Sequence, residues 1–489
     1  MTIFDATVIG AGPAGAAAAR LLASWGHRVA LIGRPPRKRS LAESLPPSCT
    51  KLFEQLGVRG EIDDARFIRA TGNTVCWAGR DRRVEHFDAS STGYQVPRDA
   101  FDALLIASAE RAGVQVILDA TARDAVREEG EWRVLLDSVS GSGETSSRWL
   151  VDASGRAGVV ARRGFRKPES AARTMALVAV WESKTPWPTE HDTHTLVESY
   201  GGGWAWSVPV SVGRRFVTAM VDPTVTELGG RSGLGERYVA ELERTTMLRE
   251  LVGGATMIGE PWACDASPYS ASRSFDDGLL LIGDAASFVD PLSSFGVKKA
   301  LASAWLGAVA VHTAHLDSSL TTHAMQLFDA REREMYEHLQ RQSALLSQEA
   351  AGAHVGAFWN GRSDSATDLA SDQLDVVALR TDPRVLAAFD ELKRRESICL
   401  RLAPGACFVT RAIVRGHRIV LEDHLAAPGI PGVRYCRNVD LVLLARIAEQ
   451  HSQVPELFDV YNRLAPPAPL PDFLGALSTL IGLEILSFA

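Results

Sequence analysis

Cysteine is sparse in this sequence, and no two cysteines have the spacing of a metal-binding or redox motif. A CxxC pair is absent, so neither a zinc site nor a disulfide framework is expected, and we predict no metal centre. Unpaired thiols are typical of a cytoplasmic protein. The six cysteines are Cys49, Cys76, Cys264, Cys399, Cys407 and Cys436.

The sequence also lacks a long apolar run. The longest candidate, residues 474–489, is interrupted by Gly475, Gly482 and Glu484. No stretch reaches the roughly 18 apolar residues that a membrane-spanning helix needs. The first residues lead directly into a strand pattern without the features of a signal peptide. We therefore expect a cytoplasmic protein that does not enter a membrane.

A basic excess is missing as well. The formal net charge is -7, whereas nucleic-acid-binding proteins usually carry a strong positive charge, so no nucleic-acid partner is expected. A local basic cluster, Arg34, Arg37, Lys38 and Arg39, is most simply interpreted as a solvated loop. With 489 residues the chain is long enough for two or three domains.

A glycine-rich loop near the start of the chain stands in a specific context. The apolar strand Ala6–Ile9 precedes Gly10-Ala-Gly12-Pro13-Ala14-Gly15, and an alanine-rich helix over 16–25 and a strand over 29–32 follow. In such a βαβ unit the first glycine permits the turn, the second lets the backbone approach a pyrophosphate, and the third allows close helix–strand packing. The positive end of the helix then meets the phosphates. The sequence therefore predicts a dinucleotide site.

One part of this dinucleotide fingerprint is absent. An acidic residue that would bond the adenosine ribose is expected at the end of the second strand. Here Ile32 is followed by Gly33 and Arg34. Arg34 either contacts the adenosine side of the cofactor or faces solvent.

The remaining pattern predicts an α/β chain in three parts. Residues 1–355 form a Rossmann-like FAD-binding domain, and a substrate domain with an antiparallel β-sheet is inserted at about 60–100 and 165–270. Residues 356–374, which include a segment rich in Gly, Ser and Asp, form a linker. Residues 375–489 form a mainly helical domain whose element order is compatible with a winged helix. Long helices are expected over 300–314 and 323–349.

Two later motifs resemble the flavin monooxygenases. Leu281-Ile-Gly283-Asp284-Ala-Ala286 resembles their second FAD motif, and Asp290-Pro291-Leu-Ser-Ser-Phe-Gly296-Val297 resembles the adjoining flavin loop. The resemblance implies that Asp284 bonds the ribityl chain and that backbone amides of the loop flank the isoalloxazine. It also implies that Arg98 lies near the cofactor. A helix beginning at Val297 would stabilise negative charge on reduced flavin.

Trp204-Ala-Trp206-Ser-Val-Pro209 resembles the W-x-W-x-x-P signature of the flavin-dependent tryptophan halogenases. An ordinary packed strand with two tryptophans on one face remains an alternative, because side chains alternate with period 2. The essential halogenase lysine is missing: Phe67-Ile-Arg-Ala70-Thr-Gly72 places alanine there, and the side chain of the adjacent Arg69 should point elsewhere. Ser293 stands where those enzymes have a glutamate. We interpret the chain as a halogenase scaffold that has lost halogenation.

Glu43-Ser44-Leu-Pro-Pro-Ser48, followed by Leu52-Phe-x-x-Leu-Gly57, resembles a narrower branch. Its members are flavoproteins that help to mature tryptophylquinone cofactors, one kind serving quinohemoprotein amine dehydrogenase. The resemblance implies an FAD-dependent monooxygenase that hydroxylates an electron-rich ring through a flavin C4a-hydroperoxide, with O2 as co-substrate. The expected substrate is a tryptophan of a partner peptide or small protein. Electrons come from NAD(P)H or from a partner flavin reductase.

The predicted substrate pocket is lined by Phe67, Trp204 and Trp206. No general base can be named, because His86, Asp88 and Glu43 are each better explained as structural residues. One alternative is a halogenase acting on a small or carrier-bound aromatic, with Lys51 in place of the missing lysine. The other is a flavin-binding maturation chaperone without catalytic activity. The C-terminal domain either recruits a peptide substrate or serves as a lid or dimer contact. The predicted cofactor residues are Gly10, Gly12, Pro13, Ala14, Gly15, Arg34, Ser44, Arg98, Gly283, Asp284, Pro291, Gly296 and Val297.

Overall fold

The computed structural model describes residues 3–34, 41–138, 141–168, 173–188, 191–226, 233–293, 295–360, 362, 379 and 381–489. The chain divides into two compact units, Met1–Thr367 and Asp368–Ala489. Arg37, Lys38 and Arg39 of the basic cluster lie outside the described residues, as does most of the expected linker.

The helices described in the first unit include two long ones near its end. They cover the segments expected over 300–314 and 323–349, and both extend beyond them. In chain order the helices are α1 (Pro13–Ser24), α2 (Thr50–Leu56), α3 (Arg59–Asp64), α4 (Arg98–Arg111), α5 (Leu234–Glu243), α6 (Met247–Val252), α7 (Gly296–Leu316), α8 (Thr321–Ala353) and α9 (Ala357–Asn360).

The strands described in the first unit fall into separate sheets. In chain order they are β1 (Ile3–Ile9), β2 (Val29–Ile32), β3 (Ala42–Leu45), β4 (Ile68–Ala70), β5 (Gly72–Cys76), β6 (Arg83–His86), β7 (Gly93–Pro97), β8 (Gln115–Ile117), β9 (Ala120–Glu128), β10 (Glu131–Ser138), β11 (Gly141–Asp152), β12 (Arg166–Pro168), β13 (Met175–Glu182), β14 (Thr195–Tyr200), β15 (Gly203–Ser211), β16 (Arg214–Val221), β17 (Thr256–Asp265), β18 (Tyr269–Ala271), β19 (Phe275–Asp276), β20 (Leu279–Leu281) and β21 (Ser287–Phe288).

The nucleotide-type sheet has the strand order β19-β20-β11-β1-β2-β8. Its strands β20, β11, β1, β2 and β8 are parallel, and α1 connects β1 to β2. Residues 16–19 are all alanines that are at most 1% exposed, so α1 packs closely within the unit. This arrangement brings the carboxyl ends of β1 and β2 to the same edge, where dinucleotides bind in such folds.

A second sheet supplies the inserted β-structure, with the order β17-β13-β16-β15-β14-β5-β6. Its pairs are antiparallel except for β14 with β5. The strands β5 and β6 come from the first inserted segment and the others from the second. A small sheet, β3-β7-β4, contains Glu43, Ser44 and Ala70.

The expected linker differs from the structure at its beginning. Residues 357–360 form the helix α9, and Phe358 and Trp359 are buried. Nε1 of Trp359 donates a hydrogen bond to the carbonyl oxygen of Tyr200 at 2.9 Å. Two large aromatic side chains within a polar stretch outweigh its flexible composition, because burying them stabilises the fold.

The second unit combines helices with short sheets around its own core. Leu441, Leu457, Tyr461 and Phe473 are among the core residues. A hairpin of β23 and β24 with three following helices agrees with the expected mainly helical C-terminal domain. The elements are α10 (Pro383–Arg394), β22 (Leu400–Leu402), β23 (Cys407–Arg415), β24 (Arg418–Ala427), β25 (Ile430–Val433), β26 (Tyr435–Cys436), β27 (Val439–Asp440), α11 (Leu441–Ala448), α12 (Val454–Leu464), α13 (Leu470–Gly482) and β28 (Leu486–Phe488).

Among the helices of the described residues, none has the length and apolar character needed to cross a membrane.

Candidate active site

The loop from Gly10 to Gly15 joins β1 to α1 and has the features of a pyrophosphate cradle. Gly10 has φ +107°, and a Cβ on it would lie 2.2 Å from the carbonyl oxygen of Ala153. A Cβ on Gly15 would lie 1.8 Å from the carbonyl oxygen of Gly10, whereas one on Gly12 would meet nothing within 4 Å. Pro13 opens α1, which has neither a side-chain cap nor an acidic residue in its first turn. The helix N-terminus is therefore suited to an anion.

A cavity of about 360 Å³ lies beside this loop, at the ends of β1 and β2. Gly33 follows β2 and lines the cavity; a Cβ on it would lie 2.5 Å from Cβ of Ala11. No side chain fits at this position without a shift of the glycine-rich loop, which explains why the ribose-binding acid is absent here. Arg34 is exposed, lines the same cavity and donates from Nε to Oγ1 of Thr121 at 2.9 Å.

Arg98, the first residue of α4, forms an ionic network at the cavity. Its Nε and Nη2 donate to the two carboxylate oxygens of Asp102 at 2.9 and 3.0 Å, and its Nη1 lies 3.4 Å from Oε1 of Glu43. Asp102 lines the cavity beside Gly33. Burial raises the pKa of Glu43, which Arg98 lowers and the charge of Asp284 raises further. Burial lowers the pKa of Arg98, but the charges of Asp102, Glu43 and Asp284 outweigh this effect and raise it overall.

The turn after β20 faces the glycine-rich loop. Gly283 has φ +59°, and a Cβ on it would lie 2.8 Å from Cβ of Ala14. The backbone carbonyl of Asp284 accepts hydrogen bonds from the hydroxyl of Tyr269 at 2.6 Å and from Nη2 of Arg166 at 3.0 Å. The half-exposed Asp284 side chain is thus presented from a fixed backbone, as a ribityl-binding carboxylate requires.

The flavin-loop segment continues from Pro291 to the start of α7. The helix begins at Gly296, one residue earlier than expected; Gly296 is exposed, and Val297 is buried. No acidic residue lies in its first turn. Its N-terminus therefore has unopposed positive character, which suits a nearby negative charge.

A larger cavity, of about 550 Å³, adjoins this segment and is hereafter the aromatic cavity. It has the size of a small-molecule or side-chain site. Leu292 and Phe295 contribute to it from the flavin loop, and Ser44 and Pro46 from the segment around β3. The full lining is Ser44, Pro46, Asn73, Val75, Trp77, Arg80, Asp81, Arg83, Phe87, Val197, Leu292, Phe295, Leu346 and Glu349.

The model of the family described as FAD binding domain matches residues 4–306. This chain belongs to that FAD-binding family. The flavoprotein is 31% identical over 320 residues to a tryptophan 2-halogenase of Chondromyces crocatus, a match that covers 62% of this chain and 60% of the halogenase. The chain spans 60% of the length of that halogenase, and the relatives that it matches include flavin-dependent halogenases.

Two solved structures share the fold of this flavoprotein. The flavin-dependent halogenase CmlS superimposes with a TM-score of 0.78 at 21% identity, covering 100% of this chain and 96% of CmlS. QhpG, a peptidyl tryptophan dihydroxylase essential for tryptophylquinone cofactor biogenesis, gives a TM-score of 0.67 at 22% identity, covering 94% and 95% of the two chains. At these identities the likeness establishes the fold, and FAD is the cofactor that the family binds.

The structure does not place the three predicted substrate residues on the wall of the aromatic cavity. Trp204 and Trp206 share one face of β15, with rings 5.9 Å apart in an edge-to-face arrangement, as the period-2 pattern predicts. Both are buried in a cluster with Trp77, Phe358 and Trp359. Phe67 packs against Phe101 of α4 at 6.5 Å. Helix α9 contributes Phe358 and Trp359 to the cluster that buries the two tryptophans.

Trp77, which is not among the residues predicted from the sequence, lines the aromatic cavity instead. Its Nε1 donates to the carbonyl oxygen of Leu346 in α8 at 3.0 Å, and its ring meets that of Trp359 at 5.7 Å. Asn73, Val75 and Trp77 all line the aromatic cavity. Their spacing of two residues in and after β5 was the available signal, since alternate side chains share a face.

The contacts of His86, Asp88 and Arg69 show where the remaining residues considered in the sequence lie. His86 is exposed and packs on His194 at 5.2 Å, and the exposed Asp88 accepts hydrogen bonds from the backbone and hydroxyl of Ser90. Neither lines the aromatic cavity. Cζ of Arg69 lies 4.3 Å from the ring centroid of Tyr94, and its guanidinium pairs with Asp63. The side chain is therefore directed away from the aromatic cavity, as expected.

Proposed function

We propose that this flavoprotein is an FAD-dependent monooxygenase that hydroxylates an electron-rich aromatic ring. The favoured substrate is a tryptophan side chain of a partner peptide during tryptophylquinone biogenesis. The observation that carries the proposal is the aromatic cavity beside the flavin loop: apolar and aromatic side chains form much of its wall, and no lysine lines it among the described residues.

The position of the halogenase lysine supports the loss of halogenation. Ala70 is fully buried in β4 and pairs with Gly93 of β7. A Cβ on Gly93 would lie 3.3 Å from Cβ of Ala70, so the two strands pack closely at this point. A lysine here would start from a fully buried position, and burying an unpaired charge is costly.

The reaction transfers one oxygen atom of O2 to the ring and releases the other as water, with two electrons from a donor. FAD, once reduced, supplies the activation of O2. The glycine-rich loop, Arg98 and Asp284 hold the cofactor in this account, while Trp77, Phe87 and Val197 orient the ring and exclude water. Correct positioning of the substrate ring is sufficient for the oxygen transfer, and no strong base is needed, because indole is already nucleophilic.

The proposal favours a peptide over a free amino acid as the substrate. Arg80, Asp81, Arg83 and Glu349 give the rim charges of both signs. Arg80 and Glu349 form an exposed pair at 3.8 Å that an incoming backbone could exchange at little cost. The likeness of the fold to QhpG supports the same choice. The electron donor for the flavin is either NAD(P)H or a partner flavin reductase.

The test is mass spectrometry after incubation with FAD, a reductant, O2 and bromide. Tryptophan-containing peptides and free tryptophan serve as parallel substrates, and NADH is compared with reduced flavin supplied by a reductase. One or two oxygens on the peptide tryptophan, without bromine, are expected. An unmodified set of peptides under both electron donors would refute the proposal.

A halogenase is the second candidate, and Lys298 is the observation in its favour. Its Nζ lies 4.7 Å from the ring centroid of Phe295, which lines the aromatic cavity. Lys51, the lysine expected from the sequence, is exposed on α2 and does not line it. Brominated product that is lost in Lys298→Met and kept in Lys51→Met would establish this candidate.

The variant Gly12→Val distinguishes the proposed monooxygenase from a non-catalytic chaperone. The fold has room for the side chain, since nothing lies within 4 Å of the Cβ position. The valine would nevertheless keep the pyrophosphate of FAD from approaching the backbone closely. The monooxygenase proposal requires that this folded variant lose both FAD and activity. A chaperone would still mature its partner.

A further inference from the structure

A buried lysine lies beneath the flavin-binding turn and has no role in the site described so far. Lys299, in the first turn of α7, is 3% exposed. Its Nζ donates to the carbonyl oxygen of Gly283 at 3.2 Å and to that of Ser287. It also lies 4.0 Å from Oδ1 of Asp284. One ammonium group therefore spans the turn from Gly283 to Ser287.

The same turn is held a second time by α7. The hydroxyl of Ser303, one turn after Lys299, accepts a hydrogen bond from the backbone N–H of Gly283 at 2.9 Å. Both backbone groups of Gly283 are thus bonded by one helix. Gly283 also faces Ala14, so a movement of this turn would change both the glycine-rich loop and the direction of Asp284.

A buried carboxylate from α8 faces this arrangement. Glu332 is 7% exposed, and its Oε2 has no hydrogen-bond partner within the described residues. Burial raises the pKa of Glu332, while the charge of Lys299 and the hydroxyl of Ser303 lower it. An ammonium group buried this deeply is costly unless it is paired and hydrogen-bonded; Asp284 lies at ion-pair distance from Lys299, and the charge of Lys299 is also felt at Glu332.

We propose that Lys299, supported by Glu332, is the positioning residue that sets the Gly283–Ser287 turn for FAD and places a positive charge behind Asp284. The lysine does not touch the cleft itself; it acts through the two carbonyl oxygens and through the field at the carboxylate. Its role has two parts, a geometric one in FAD affinity and an electrostatic one in the reduction potential of the bound flavin. A positive charge near the cofactor favours the reduced, more negative form.

The decisive experiment measures FAD binding by Lys299→Met, Lys299→Gln and Glu332→Gln, with Lys184→Met as the control for removing an exposed lysine. Titration of the apoprotein with FAD gives the affinity. Loss of hydrogen bonds from a charged group is expected to weaken binding by Lys299→Met about 10- to 100-fold. Lys299→Gln keeps a donor without the charge and should lose less affinity, while Lys184→Met should match the wild type.

A merely structural lysine is distinguished by two further readouts. The increase in melting temperature caused by FAD should shrink in Lys299→Met, beyond any loss of stability of the apoprotein. The midpoint potential of the flavin should fall in both Lys299→Gln and Lys299→Met. An unchanged FAD affinity and potential in Lys299→Gln would overturn the proposal, as would a loss of apoprotein stability with an unaltered FAD-induced shift. If Lys299→Met does not fold, the FAD affinity and the midpoint potential of Lys299→Gln and Glu332→Gln are used to test the proposal instead.

Discussion

Nε1 of Trp77 donates a hydrogen bond to the carbonyl oxygen of Leu346 at 3.0 Å, which fixes an indole ring of the β5 segment against helix α8. The bond spans 269 positions of the chain and joins two walls of the aromatic cavity. A large ring held in one orientation offers an aromatic substrate a preformed surface, because little conformational entropy is lost when the two rings meet.

We expect Trp77→Ala to weaken substrate binding more than the turnover of bound substrate. An aromatic pair contributes about 0.5–1.5 kcal/mol beyond area burial, so KM for a tryptophan-containing peptide should rise at least severalfold. Trp77→Phe keeps a ring without the hydrogen bond and should recover most of the affinity. Steady-state kinetics of both variants check this. An unchanged KM in Trp77→Ala would remove the residue from the substrate site.

Asp102→Asn should weaken FAD binding although the sequence fingerprint contains no aspartate at this position. The change removes the charge that holds the Arg98 guanidinium in its two-point contact. Hydrogen bonds to charged groups contribute about 1.5–3 kcal/mol, so the FAD dissociation constant should rise by roughly tenfold or more. Fluorescence titration measures it. Asp99→Asn, at a partly exposed position of the same helix turn, is the control and should bind normally.

Restoring an acid at the end of β2 should harm the protein rather than improve it. In Gly33→Glu the new Cβ would lie 2.5 Å from that of Ala11, and overpacking of this kind costs about 1–3 kcal/mol. A lower melting temperature and weaker FAD binding are expected. Gly60→Glu, where no atom lies within 4 Å of the Cβ position, is the matched control. Tighter FAD binding by Gly33→Glu would show that the glycine-rich loop readily moves.

Cys49 should resist alkylation in the native protein. Burial raises the pKa of its thiol to about 12, an effect that Lys298 only partly offsets, so the reactive thiolate is scarce below that pH. Cys399 and Cys407 are exposed and should react first at mildly alkaline pH. Mass spectrometry after iodoacetamide treatment gives the order, with unfolded protein as the fully labelled control. Early labelling of Cys49 would mean that the region opens readily.

The cofactor half of the site follows from local patterns, and the substrate half does not. Gly10, Gly12 and Gly15 lie close together in the chain and need only a strand before them and a helix after them. The pairing of Trp204 with Trp206 follows equally from strand alternation. The aromatic cavity instead combines Val75 and Trp77 with Leu346 and Glu349, which are about 270 positions away. The register between β5 and α8 is set by tertiary packing, which no local pattern contains.

The arrangement of Arg98 and Asp102 can be predicted from the sequence only in part. The helix over 98–111 is predictable, and a spacing of four residues places both side chains on one face. The contact of Arg98 with Glu43 depends on the pairing of β3 with β7. A strand pairing of this kind is fixed by the whole sheet, so the sequence could indicate the ion pair but not its place in the cofactor cleft.

The most direct test of the central claim is the reaction of a tryptophan-containing partner peptide under isotopically heavy O2, with FAD, a reductant and bromide, followed by fragmentation mass spectrometry. The account predicts heavy oxygen on the indole ring of the tryptophan, no bromine, and loss of the product in Gly12→Val. Bromine on the ring, or oxygen that comes from water rather than from O2, would contradict it.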